Sequence, residues 1–201
     1  MQEIGKIKQV QVQRSSLKAG QKPERYYDPT PLLVVEQLRL SPAGVIGITA
    51  EGDEIIDVHN ADHPQSKNRE DNGVSIGFSS HYESIRAQYG DHLWDGCAGE
   101  NILIEVERGR IFTLSDLGNQ IAILAQATGE FVYLTDLQVA APCVEFSRFA
   151  ANFGMPLPPE EQKATLQFLH EGRRGFYATF IGGEDHGPAL VQAGDRVFTG
   201  E

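Results

Sequence analysis

Short apolar and alternating runs dominate the chain, and they predict β-strands. Residues 10–13 alternate apolar and polar side chains, while residues 32–40 form a longer β run bounded by Pro31 and Pro42. Further runs have the length and composition of strands: 44–49, 102–106, 120–125, 131–141, 175–181 and 196–199. Most of them are too short for helices, and turn-forming residues separate them.

Two segments instead predict helices. In residues 80–90, Ser80 and Glu83 have the spacing of a capping box and a glycine closes the segment. The second segment runs from about 159 to 170, with prolines and glutamates at its start and a glycine soon after its end. We therefore expect a mainly β fold with minor α, an antiparallel β barrel with a few short helices.

Length and composition fit a folded chain of one domain. The 201 residues predict a domain over 32–201 and an N-terminal strand or arm over 1–31 packed on the barrel. The net charge of -11 opposes non-specific binding to nucleic acid or to an anionic membrane. Because no apolar run approaches a membrane span or a signal sequence, the expected location is the cytoplasm.

The chain has two cysteines, Cys97 and Cys143, and no C-x-x-C pair, which indicates reduced thiols rather than a disulfide framework. Cys143 follows a predicted strand and Pro142, so its thiol is expected at a strand end, where a site can open. With Arg148 nearby, a thiolate there suits attack on sulfur or a soft metal. The alternative for both cysteines is a buried apolar role.

Several polar segments are candidates for binding, each with a structural alternative. His59 and His63 have a metal-ligand spacing, but their surroundings predict a loop. Lys67 and Arg69 suit an anionic group, or belong to a solvated loop. Arg173 lies in a flexible Gly-Arg-Arg-Gly turn that suits a phosphate or a hairpin surface.

Three further segments complete the set of candidates. Glu100 and Asn101, at the entrance to an apolar strand, bind a polar ligand or build a turn. His81, at a helix start, is expected to be neutral or to belong to the cap. Residues 73–77 match the G-x-S-x-G pattern of hydrolases, but a polar stretch precedes them where a strand is needed.

In order, these segments resemble the MOSC family, the domain found at the C-terminus of molybdenum-cofactor sulfurases. The resemblance covers about residues 32–198 and rests on Asp57-x-His59, His81-Tyr82, Gly99-Glu100-Asn101-Ile102, Pro142-Cys143, Gly175-x-Tyr177-Ala178 and Gly194-Asp195-x-Val197. Where many relatives carry arginine two residues before the cysteine, this chain has Ala141, and Arg148 or Arg173 is the expected substitute.

The resemblance implies a MOSC-type barrel in which Cys143 is the reactive residue and a molybdenum ligand. It further implies that Glu100 and Asn101 shape the pocket. The residues implied to hold the pterin and phosphate of molybdenum cofactor (molybdopterin) are His59, Lys67, Arg69, His81, Tyr82 and, as the substitute, Arg173. The leading hypothesis is then an oxidoreductase acting on N-hydroxylated or related small molecules, with a separate electron-donor protein.

Two alternatives stay open. Cys143 as a persulfide sulfur carrier would accept sulfur from a separate cysteine desulfurase, the partner that would hold pyridoxal phosphate. The second alternative is a binding module that delivers the cofactor without catalytic turnover.

Overall fold

The structure is a computed structural model that describes residues 1–181 and 187–200. Its strands are β1 (Gln2–Gln13), β2 (Lys18–Ala19), β3 (Tyr26–Tyr27), β4 (Leu32–Val35), β5 (Gln37–Ser41), β6 (Gly44–Ile48), β7 (Glu54–Ile56), β8 (Val74–Phe78), β9 (Ile102–Glu105), β10 (Gln120–Ala125), β11 (Glu130–Val139), β12 (Phe176–Phe180), β13 (Ala189–Gln192) and β14 (Arg196–Thr199). The helices are α1 (Ser79–Tyr89), α2 (Leu114–Leu117), α3 (Val144–Asn152) and α4 (Pro159–His170).

Seven strands close into a barrel in the order β1, β14, β10, β11, β12, β8 and β9, with β9 returning to β1. Closure removes the free edges that an open sheet would expose. Side chains of β8 are buried along its whole length, and those of β10 are mostly buried. The expected mainly β fold with a barrel and short helices is confirmed.

One strand pair differs from the antiparallel expectation. Strands β8 and β9 are parallel, with Ile76 opposite Ile102, and the barrel is therefore mixed. Parallel neighbours need a crossover connection, and α1 with the loop after it provides one. The sequence pattern did not reveal this because β8 follows a polar stretch and was not predicted as a strand.

The N-terminal strand belongs to the barrel itself. β1 pairs with β14 through its first residues, with β9 through its middle and with β4 through its end. The single strand predicted over 32–40 is wrong, because the chain breaks at Glu36 between β4, on the barrel, and β5. Strand β5 joins a second sheet ordered β13, β5, β6, β7, whose Leu38 and Leu40 share the barrel core.

The helices form a second, smaller core on one side of the barrel. Tyr82 and Ile85 of α1, Phe146 of α3 and Leu169 of α4 pack there with Tyr27 of the β2–β3 hairpin. Helix α4 has its predicted bounds, whereas α2 and α3 were not predicted. No described helix has the length and apolar character to cross a membrane.

The predicted capping box of α1 is wrong. Its N-cap residue is Phe78, without a side-chain cap, and the Ser80 hydroxyl donates instead to the carbonyl of Arg110 at 2.5 Å. Gly90 ends α1 as expected, with its N–H donating to the carbonyl of Arg86 at 2.8 Å.

Candidate functional site

A pocket of about 540 Å³ lies where four segments meet around Cys143. They are the β2–β3 hairpin, the loop over residues 57–73 that joins β7 to β8, the start of α3, and the turn over residues 172–175 before β12. Residues far apart in the sequence therefore share one cavity. Its volume lies within the ~300–1,000 Å³ typical of small-molecule sites.

Cys143 lines this pocket as the N-cap residue of α3. Its Sγ atom accepts a hydrogen bond from the backbone N–H of Phe146 at 3.4 Å, and the residue is partly exposed. The free N–H groups of a helix start carry partial positive charge, and the sulfur of Cys143 lies at that end of α3. Strand β11 ends at Val139, so Cys143 lies at the start of a helix and not at the end of a strand as predicted.

The pocket is strongly cationic although the whole chain is acidic. Among the described residues, five Lys and Arg side chains line it, and no Asp or Glu side chain does. These cations are Lys18, Arg25, Lys67, Arg69 and Arg174. His59 adds a titratable group, so four of the residues chosen from sequence (Cys143, His59, Lys67 and Arg69) come together here.

Side-chain amides fix the loop that carries Lys67 and Arg69. Asn72 accepts from the backbone N–H of Arg69 at 2.7 Å and donates to the carbonyl of Lys67 at 3.2 Å. Arg69 Nε lies 3.7 Å from Asp71 and its guanidinium lies 5.5 Å from the Tyr177 ring centroid. The side chain of Lys67 has no ionic or hydrogen-bonding partner among the described residues, which leaves its ammonium open to a ligand.

Lys18 and Arg25 enter from the hairpin and were not among the residues singled out from the sequence, which predicted only a strand or arm over 1–31. Arg25 Nε donates to Glu145 Oε1 at 2.5 Å, and Lys18 Nζ lies 3.9 Å from the other oxygen of the same carboxylate. Glu145 belongs to the first turn of α3. The hairpin is therefore held beside Cys143 by charge, a contact that no local pattern could reveal.

Arg174 of the 172–175 turn lines the pocket. Arg173 and Arg148, the two arginines expected there, do not. Its Nη1 atom is buried without a hydrogen-bond partner among the described residues. Burial opposes its charge, but Tyr177, Glu100, Tyr27 and Tyr82 outweigh that effect and raise its pKa. A partly exposed arginine with one buried donor that lacks a partner suits the binding of an anion.

Arg173 and Arg148 make other contacts. Arg173 donates to the carbonyl of Phe168 at 3.1 Å and to Glu171 at 2.7 Å, and its guanidinium lies 4.6 Å from the Phe168 ring centroid. Arg148 donates to Gln162 at 3.3 Å. Neither lines the pocket. Both act in helix packing, so the choice of Arg173 as a binding residue is not supported by its position.

Glu100 and Tyr82 form a buried layer and do not line the pocket. The Tyr82 hydroxyl donates to Glu100 Oε2 at 2.7 Å, while Glu100 Oε1 has no partner in the described part of the chain. Burial raises the pKa of Glu100, although Arg174 and Tyr82 act in the opposite direction. Glu100 thus supports Arg174 electrostatically instead of meeting a ligand.

Asn101 joins two barrel strands and the loop after β7 through hydrogen bonds. Its Oδ1 accepts from the backbone N–H and hydroxyl of Ser75, and its Nδ2 donates to the Gln11 carbonyl and to Asp57 Oδ2 at 2.9 Å. Asp57 in turn holds His59. The predicted pocket-shaping role of Asn101 therefore acts through Asp57. Ser75 is buried in β8, a position unsuited to a nucleophile.

His81 lies away from the pocket and has both ring nitrogens occupied. Nδ1 lies 3.0 Å from the Gly172 carbonyl, and Nε2 accepts from the Phe112 N–H at 2.9 Å. Burial lowers its pKa to about 4, and nearby Arg173 acts in the same direction. This direction agrees with the expected neutral imidazole, with burial as its main cause, and the side chain connects two loops.

The remaining candidates make no metal site from protein groups alone. Cys97 is fully buried, and burial raises the pKa of its thiol. The His63 ring contacts the Arg14 carbonyl and the Gln65 N–H. In the described ranges, no three His, Cys, Asp or Glu side chains are grouped as metal ligands.

Comparisons with known proteins show the fold alone. No family model and no curated protein matches the chain. The chain is similar to the crystal structure of the YuaD protein from Bacillus subtilis, at 14% identity and a TM-score of 0.57, over 96% of this chain and 93% of that one. It is also similar to a hypothetical protein of known structure, at 13% identity and a TM-score of 0.54, over 98% of this chain and 66% of that one.

Proposed function

We propose that the pocket binds molybdenum cofactor with the Cys143 thiolate as a molybdenum ligand, and that the protein is an oxidoreductase acting on N-hydroxylated or related small molecules. One observation carries this proposal. In an acidic chain, a partly exposed thiol at a helix N-terminus lines a pocket with five cations and, among described residues, no carboxylate.

The charge of the pocket fits a phosphorylated ligand. Asp71 and Glu145, just outside the lining, each offset one of the five cations, through contacts to Arg69 and Arg25. About three positive charges then remain, and a phosphate with a thiolate balances them. The buried, unpartnered Nη1 of Arg174 is the donor that such an anion would satisfy.

The thiol fits the metal. A thiolate is a soft ligand, and Cys143 is the one sulfur atom in the described lining of the pocket. Because no group of protein side chains completes a metal site there, other ligands must come with the bound group. When bound, the cofactor supplies the two-electron redox chemistry, while the protein supplies ligation, orientation and charge.

Metal analysis of Cys143→Ser tests the proposal. Protein purified anaerobically from cells that make the cofactor should contain about one molybdenum per chain, and the variant should lose it. Serine is a preferred N-cap residue, so α3 and the melting temperature should be preserved. Cys97→Ser is the matched control, since it removes the other thiol away from the pocket. Molybdenum retained by Cys143→Ser would contradict the proposal.

Persulfide transfer is a second candidate, favoured by the separation of the two thiols. Because Cys97 is buried outside the pocket lining, no described second thiol in the cavity would remove sulfur from Cys143. Intact mass decides between the candidates. A cyanide-labile gain of one sulfur atom on Cys143, without molybdenum, would support the carrier. Bound cofactor with no turnover by any reductant would instead support a delivery module.

A further inference from the structure

We propose that His59 is the proton-transfer group of the Cys143 pocket and that Asp57 is its positioning residue. This inference rests on the proposed oxidoreductase function and assigns His59 proton transfer in place of the ligand-holding role that the resemblance implies. It starts from a contact behind the pocket wall, where Asp57 Oδ1 lies 3.2 Å from His59 Nδ1.

Asp57 is built into the protein as an acceptor. Its side chain is fully buried, and its Oδ2 accepts from the Gln13 N–H at 2.7 Å and from Asn101 Nδ2 at 2.9 Å. Its Oδ1 accepts from the backbone N–H of His59 at 2.8 Å. Hydrogen bonds from Gln13 and Asn101 therefore fix one oxygen of the carboxylate, and the other oxygen faces the imidazole.

This arrangement determines the imidazole tautomer. Asp57 is an acceptor, so Nδ1 carries the proton and Nε2 has the free electron pair when the ring is neutral. The His59 carbonyl also accepts from Asn68 Nδ2 at 2.8 Å, which fixes its backbone. Nε2 has no hydrogen-bond partner among the described residues, and His59 lines the pocket. Nε2 is therefore the atom available for proton exchange.

The surroundings explain why a carboxylate is needed. The groups of the pocket lining that bear charge or titrate beside His59 are Lys18, Arg25, Tyr27, Lys67, Arg69, Arg174, Tyr177 and Cys143. Because this lining is cationic, the Asp57 carboxylate is the negative group that contacts the ring, at the nitrogen opposite the reacting one. An orienting carboxylate of this kind has the same function in other histidine-dependent enzymes.

The proposed chemistry balances with one proton from His59. Reduction of an N-hydroxylated compound, R=N–OH, consumes two electrons and two protons and gives R=N–H and water. The two electrons come from two equivalents of a one-electron reductant, a reduced viologen in the assay, by way of the redox chemistry that the cofactor supplies. His59, protonated at both ring nitrogens before the step, gives its Nε2 proton to the departing hydroxyl as the N–O bond breaks and returns to the neutral Nδ1–H form. Solvent supplies the proton on nitrogen and then reprotonates His59.

The test compares His59→Ala with His63→Ala, a histidine of the same loop outside the pocket lining. With an amidoxime substrate, His59→Ala should lower kcat per bound molybdenum by about 100-fold or more, with KM and molybdenum content near the unmodified values. Added imidazole should restore part of kcat. His63→Ala should behave as the unmodified protein. Unchanged kcat per molybdenum would overturn the role, as would molybdenum lost in proportion to activity.

A second measurement does not depend on activity. Nitrogen-15 imidazole spectra of the cofactor-free protein should show His59 as the Nδ1–H tautomer, and Asp57→Asn should abolish that preference. An Nε2–H tautomer in the unmodified protein would refute the positioning by Asp57, whatever the kinetics. Unmodified protein without molybdenum or turnover would refute the proposed function instead, before any variant is compared.

Discussion

His81 shows how one buried side chain connects two loops of the helical side. Its imidazole spans the Gly172 carbonyl and the Phe112 N–H, and its ring lies 5.1 Å from that of Phe78 and 6.3 Å from that of Phe176. Protonation would remove the Nε2 acceptor and place a charge among aromatic rings. A single proton is thus enough to break this contact.

We expect stability to depend on pH through His81. Its folded-state pKa of about 4 lies below the ordinary 6.5, so the unfolded chain binds the extra proton between these values. The stabilisation is present above pH 6.5 and is lost as the pH falls toward 4. The loss is about 3 kcal/mol. Urea unfolding at pH 7 and 4.5 checks this, and His81→Gln should show a flatter dependence. An equal slope in both proteins would contradict it.

Neighbouring residues decide how far the site can be predicted from sequence. The Gly-Arg-Arg-Gly turn was correctly singled out, but a turn presents adjacent side chains in different directions. Arg174 lines the pocket, whereas Arg173 lies against Phe168. Likewise Glu100 and Asn101 were chosen for a polar strand entrance, yet both are buried behind the lining. The sequence indicates which residue types could bind a ligand, but the direction of each side chain depends on tertiary contacts.

At the scale of elements, α3 and the β2–β3 hairpin form one unit around Cys143. Burial alone would raise the pKa of Glu145, but its own N–H, Arg25 and Lys18 outweigh burial and lower it. Aromatic packing adds to the ion pair, since the Tyr27 ring lies 5.0 Å from the Phe146 ring. The same carboxylate that holds the hairpin also neutralises part of the pocket.

Glu145→Gln should therefore strengthen anion binding. Removing one negative charge leaves Arg25 and Lys18 free to meet a ligand, and we expect inorganic phosphate to bind about 3-fold to 10-fold more tightly. Arg25→Met should weaken it by a similar factor. Calorimetric titration of cofactor-free protein measures both. Arg39→Met is the control, because it breaks a comparable Arg–Glu pair, with Glu54, outside the pocket. Equal affinities in all variants would argue against an anion site.

Elements differ in how far the sequence predicts them, for physical reasons. The strands over 120–125 and 196–199 and helix α4 have their predicted bounds because each has a periodic core face and clear ends. Helix α3 was not predicted, although Phe146 and Ala150, both buried, have helical spacing. Its first residues follow a predicted strand and Pro142, and a cysteine is an unusual N-cap, so the boundary signal was weak.

Over the whole molecule, the positive charge of the pocket contrasts with the negative charge of the chain. The net charge is -11, yet five cations converge on one cavity. Such separation directs an anionic ligand to that cavity and repels it from most of the surface. Neither the convergence nor the barrel order was readable from local patterns, because β1 pairs with β14 near the opposite end of the chain.

The seam between β1, β14 and β9 should therefore govern global stability. At Gly5 the register of β1 against β14 shifts, and a Cβ atom there would lie 2.1 Å from the Glu105 carbonyl oxygen on β9. That oxygen is backbone, so relief requires moving a barrel strand. We expect Gly5→Ala to lower the free energy of unfolding by about 2–4 kcal/mol.

Urea unfolding compares Gly5→Ala with Gly200→Ala, where a new Cβ atom would meet Gln120 at an ordinary 3.5 Å. Gly200 directly follows β14, one strand of the seam, and its N–H donates to the Gln120 carbonyl of β10 at 3.1 Å. The two variants therefore differ mainly in the space open to a new Cβ atom. The control should change stability by less than about 1 kcal/mol. Similar losses of unfolding free energy in both variants would mean that close packing at the seam does not govern stability. A loss confined to Gly5→Ala, in one cooperative transition, would show that joining distant segments of the chain stabilises the barrel that carries the pocket.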